Sequence, residues 1–147
     1  NYADRKTSAA IGFYQASVWE QFHPYVRAQE TGNKCDTRWL TLCDKEQKGL
    51  LITGTEPLSV SAWNFMQDDI DYVPFSVERR HGGSVEKKDL VWINIDQMQM
   101  GVGGDNSWGA QVHLEYTITP SMRKYSFVIQ PIRTLEGIVE QARQIWF

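Results

Sequence analysis

The sequence has little that would tie it to a membrane, a nucleic acid or an oxidising compartment. No stretch approaches the roughly 18 consecutive apolar residues that a membrane-crossing helix needs. No run of five basic residues breaks a weakly acidic balance, a formal charge of −3 at pH 7, so neither a phosphate-tracking surface nor a basic membrane-surface helix is expected. The opening Asn1-Tyr2-Ala3-Asp4-Arg5 lacks an initiator Met, a charged leader region and an apolar core. It reads as a soluble piece of something longer, cytoplasmic rather than periplasmic. Only two cysteines occur, Cys35 and Cys43. If the stretch between them is extended, their backbones lie about 26 Å apart at about 3.3 Å per residue, far beyond bridging distance. Two ordinary semi-buried thiols are expected, and the redox compartment stays open.

What the sequence does have is enough apolar material for one core: 147 residues, 41% of them hydrophobic. A chain of that size buries about 68–70% of the surface its unfolded form exposes, without a disulfide or structural metal. The recurrent pattern is alternation with period two. It is clearest in Val112 to Ile118, where Val112, Leu114, Tyr116 and Ile118 share one face and His113, Glu115 and Thr117 the other. Arg38 to Cys43 and Gly49 to Thr53 alternate similarly around the polar Asp44 to Lys48, as in an antiparallel hairpin. Leu58 to Trp63, Leu90 to Asp96 and Lys124 to Gln130 are further strands. Short spacings between Gly32, Gly54, Pro57, Pro74, Gly82-Gly83, Pro120 and Pro131 favour an all-β sandwich over alternating βαβ units. Two helices are expected, a short one around Asn64 to Asp71 and a C-terminal one. In the latter Leu135, Ile138, Val139, Ala142 and Trp146 fall on one face, making 131–147 a helical extension of a single domain spanning 1–147.

Chemistry-bearing clusters are sparse. Asp68, Asp69 and Asp71 read as a solvated acidic helix end, because a calcium loop needs more ligands and a glycine at set spacing. His23, His81 and His113 are scattered, and none pairs with Cys or His at zinc-ligand spacing, so no metal site is inferred. No G-x-S-x-G nucleophile elbow occurs. The distinctive string is Met100-Gly101-Val102-Gly103-Gly104-Asp105-Asn106-Ser107-Trp108-Gly109. A dinucleotide loop would need a helix starting at its last glycines, whereas the next element reads as a strand. Gly101, Gly103 and Gly104 instead suit a tight path with positive φ, and Asp105 and Asn106 can close the turn by bonding neighbouring amides. Trp108 then has two readings: an indole folded back on the sandwich, or a platform on which the C–H face of a pyranose packs. Residue type alone does not choose.

Four strings together resemble one family. They are Asn1-Tyr2-Ala3-Asp4-Arg5; Pro24-Tyr25-Val26 with Gln29-Glu30-Thr31-Gly32-Asn33; Asp36-Thr37-Arg38-Trp39-Leu40; and Trp92-Ile93-Asn94-Ile95-Asp96 leading into Met100 to Gly109. In order and spacing they resemble the C-terminal domain of the large bacterial β-galactosidases of glycoside hydrolase family 2, from Asn1 to about Gln130. The resemblance implies an antiparallel super-sandwich of the galactose mutarotase type, the last of five domains, with this segment its C-terminal half. It implies a retaining β-galactosidase acting on terminal β-D-galactosides such as lactose. The family's two catalytic glutamates lie in a barrel domain, the acid/base one preceded by asparagine; this sequence has no Asn-Glu dipeptide, so no catalytic residue is expected here and the fragment alone should be inactive. The resemblance assigns Trp108 to substrate binding at the active-site mouth, and leaves the magnesium and sodium ligands in other domains. Ala3 stands where the family often has proline, and Asn106 where it often has aspartate.

The implied partners are the galactoside and the other domains of the parent chain. With half the domain missing, isolated copies should associate, giving a homo-oligomer. The competing reading is a free-standing carbohydrate-binding module, with Trp108 and Trp63 or Trp92 as an open platform. A third makes the chain a scaffold with Trp108 buried.

Overall fold

The computed structural model describes residues 2–5, 10–70 and 81–144. It is mostly β, with antiparallel pairing throughout. The strands are β1 (Lys34–Cys43), β2 (Gly49–Trp63), β3 (Trp92–Asp96) and β4 (Phe127–Ile132), followed by a short helix α1 (Ile138–Arg143). β2 is the spine: β1 runs along one side, while β4 pairs with its first half and β3 with its second.

The expected hairpin is present, with Cys43 opposite Gly49. Asp44 closes it: its carboxylate accepts from the Lys48 N–H at 2.9 Å, and its own N–H donates to the Lys48 carbonyl at 2.9 Å. Gly49 admits the close crossing, since a Cβ there would stand 1.9 Å from the Leu42 carbonyl oxygen. The runs Gly49 to Thr53 and Leu58 to Trp63 are one strand of 15 residues rather than two. Between Thr37↔Leu58 and Trp39↔Thr53 the register shifts, so β2 makes an exposed excursion over 55–57, just after the buried Gly54, without leaving the sheet. Gly54 permits it, because a Cβ would meet the Glu56 carbonyl oxygen at 2.2 Å.

Both faces of β2 are apolar. On one, Leu51 and Ile132 are covered by Ile138 and Ala142 of α1, with Trp39, Leu135 and Val139 alongside. The strand therefore extends through Pro131 and Ile132, and helix occupies only 138–143 of the expected 131–147 extension; Trp146 lies outside the described residues. The opposite face carries Ile52, Leu58 and Val60, flanked by the half-buried Leu40, Leu42, Ile93 and Ile95. A third cluster gathers Trp63, Phe65, Ile70, Val85 and Ala28, with Trp63 and Phe65 stacked at 5.2 Å. Trp63 is sealed there, its Nε1–H donating to the Thr31 carbonyl at 2.7 Å, so it is no open platform.

Two expectations fail locally. The Asn64 to Asp71 helix is a single 3₁₀ turn at Gln67–Asp69, with Asp71 outside the described residues. Val112 to Ile118, the most regular alternation in the sequence, is no strand: it contains a 3₁₀ turn at Leu114–Tyr116, with Leu114 exposed. Alternation supplies a strand's two faces but no hydrogen-bonding neighbour, and no described strand lies beside this segment.

Candidate functional site

The loop after β3 carries the residues singled out in the sequence, and three local devices shape it. Gly103, Gly104 and Gly109 adopt φ of +61°, +83° and +82°, a region that side chains with a Cβ rarely enter. Gly101 is required for a different reason, close approach: a Cβ there would lie 2.8 Å from the Asp4 carboxylate and 2.9 Å from the Tyr116 Cβ. At the tip, Asn106 Oδ1 accepts from the Trp108 N–H at 2.9 Å and the Ala110 N–H at 3.3 Å, an Asx turn that lifts Trp108 outward.

Asp105 does not share in that turn. Its carboxylate accepts instead from His113 Nε2–H across the neck of the loop. That hydrogen bond, and next the charge of the same carboxylate, holds the His113 imidazole above its usual pKa. Below the neck, the Gly101 N–H donates to the Tyr116 carbonyl at 3.0 Å. The Gly103 N–H donates to Asp4 Oδ2 at 2.7 Å, and Arg5 Nη2 donates to the Gly103 carbonyl at 2.6 Å.

The result is a pinned backbone bearing an indole that is 93% exposed, the most exposed large apolar side chain among the described residues. Trp108 is thus not folded back onto the sheet. Trp92, the other platform candidate, is only marginally exposed, and its Nε1–H donates to Asn94 Oδ1 at 3.1 Å. Such a loop offers a flat apolar surface and fixed dipoles. Its one carboxylate, Asp105, is already engaged, which leaves no carboxylate pair of the kind glycoside cleavage uses. Among the described residues no group of three or more His, Cys, Asp or Glu is gathered to hold a metal ion. Asp69 of the acidic cluster is tied to Lys88 Nζ at 2.6 Å and accepts from the Met66 N–H at 2.8 Å. Cys35 is half-buried, its Sγ accepting from Asn33 Nδ2–H at 3.6 Å, whereas Cys43 is exposed rather than semi-buried.

Sequence reasoning named the loop but missed what anchors it. Asp4 and Arg5 stood in the string that opens the chain, with nothing to link them to residues some hundred positions away. His113 was assigned to the solvated face of a strand.

Comparison with known proteins adds ancestry to this geometry. Residues 1–129 match a family described as beta-galactosidase small chain. A beta-galactosidase of Priestia megaterium is 38% identical over 135 residues, and one of Lactobacillus delbrueckii subsp. bulgaricus is 36% identical over 134. A third, from Streptococcus thermophilus, is 34% identical over 134 residues. Each alignment covers 90% of this chain but 12% of the relative, so the chain spans only about an eighth of the length of the proteins it matches.

Proposed function

Because the chain belongs to the β-galactosidase small-chain family, we propose that it is the non-catalytic part of a retaining β-galactosidase that supplies Trp108 to a galactoside site built mainly by other domains. The observation that carries this reading is the near-complete exposure of that indole on a loop pinned at its neck and base. A pyranose C–H face packed on it buries roughly 60 Å², worth on the order of 1.5 kcal/mol at about 25 cal/mol per Å². Gly101, Gly103, Gly104, Asp105 and Asn106 support the platform without touching sugar. Bond cleavage belongs to two glutamates in the parent's barrel domain, and magnesium and sodium to ligands in other domains.

The fold reading follows the same line. The sheet face bearing Ile52, Leu58 and Val60 leaves Phe127 and Ile129 of β4 exposed. In the parent, the other half of the domain covers that side and completes a super-sandwich of the galactose mutarotase type. The partners are then the galactoside, the remaining domains and further copies of the enzyme, in the cytoplasm. No described helix is long and apolar enough to cross a membrane.

In the full-length enzyme carrying this chain, Trp108→Ala is expected to raise KM for lactose about tenfold while changing kcat little. KM values that match wild type across several aglycones would remove the assignment. Calorimetry on the 147-residue chain separates it from a free-standing carbohydrate-binding module, which would bind galactosides unaided.

A further inference from the structure

We infer that Asp4 and Arg5 form a two-point clasp on Gly103 that sets the height and direction of Trp108, making both positioning residues for the galactoside site; the inference rests on the reading of Trp108 given above. Gly103 and Gly104 are consecutive residues at positive φ, where a chain without Cβ atoms rotates most freely. A hinge there would swing everything up to the Asx turn that carries the indole. The clasp removes that freedom by occupying both polar groups of Gly103: the N–H donates to Asp4 Oδ2 at 2.7 Å and the carbonyl accepts from Arg5 Nη2 at 2.6 Å. Both bonds are charge-assisted, hence shorter and stronger than neutral ones.

The surroundings are shaped for this hold. The Asp4 side chain is 6% exposed, so the hydrogen bond to the Gly103 N–H is shielded from solvent. Gly101 clears the space, since any Cβ there would strike the carboxylate. Arg5 Nη1 lies 3.7 Å from Asp4 Oδ2, so the two charges also steady each other.

The test compares Asp4→Ala, Asp4→Asn, Trp108→Ala and the Asp4→Ala/Trp108→Ala double variant in the full-length enzyme. Asp4→Ala should raise KM for lactose roughly fivefold with kcat kept within about twofold. Asp4→Asn, which retains an acceptor for the Gly103 N–H, should recover most of that loss. On the Trp108→Ala background, Asp4→Ala should add nothing. If Asp4→Ala does not fold, Arg5→Gln takes its place, since the Arg5 side chain is 43% exposed. Wild-type KM in Asp4→Ala or Arg5→Gln, together with a raised KM in Trp108→Ala, overturns the clasp and leaves the Trp108 reading standing. Should Trp108→Ala itself leave KM unchanged, that reading falls, and amide exchange at Gly103 decides the clasp alone: faster exchange in Asp4→Ala supports it, unchanged exchange overturns it.

Discussion

At the scale of single residues, the loop is held by hydrogen bonds involving Asp4, Arg5, Asn106 and the Asp105–His113 pair. His113 is the histidine among them, a side chain whose unperturbed pKa is about 6.5. Its pKa is raised chiefly by the hydrogen bond to Asp105. A group whose folded pKa lies above its unfolded value of about 6.5 contributes fully below that value, and its contribution is lost as pH rises through the folded pKa. The neck of the loop should therefore loosen on the alkaline side. An NMR titration is expected to place the His113 midpoint above about 6.5, and Asp105→Asn should return it to the ordinary range. A midpoint unmoved by Asp105→Asn would mean the pair does not form in solution. Gly101 and Gly103 look alike in sequence but serve different ends, one yielding space to a carboxylate and the other turning the chain.

At the scale of elements, β2 decides the architecture, since every other described strand pairs with it. Leu51 sits near its start, fully buried beneath α1. Leu51→Ala should lower the stability of the 147-residue chain by about 2–5 kcal/mol, read as a shifted denaturant midpoint. A loss below about 1 kcal/mol would mean that α1 does not dock on the sheet in solution. The hairpin was legible because Asp44 and Gly49 mark both ends of its turn and alternation flanks it. The continuity of β2 was not, because Gly54 and Pro57 read as strand ends when they mark an excursion. Val112 to Ile118 errs the other way, an ideal local pattern with no described neighbour to pair with.

At the scale of the whole molecule, the described residues form a four-stranded sheet with α1 over one apolar face, while Phe127 and Ile129 of β4 stand exposed on the other. Exposed apolar area of this kind drives association. The isolated chain should bind a hydrophobic dye and elute from gel filtration larger than its 17.0 kDa mass predicts. A strict monomer with little dye binding would count against a missing second layer.

Sequence by itself determined the β character of the chain, the glycines of the loop and the family, because periodicity, backbone permissiveness and motif order are local properties that survive without knowledge of neighbours. Tertiary structure decided what became of Trp108. Exposure depends on what the rest of the chain leaves uncovered, and the clasp from Asp4 and Arg5 joins residues about a hundred positions apart that no local pattern connects. The same reason explains why Trp63, equally aromatic in the sequence, is sealed in a core while Trp108 stands in solvent.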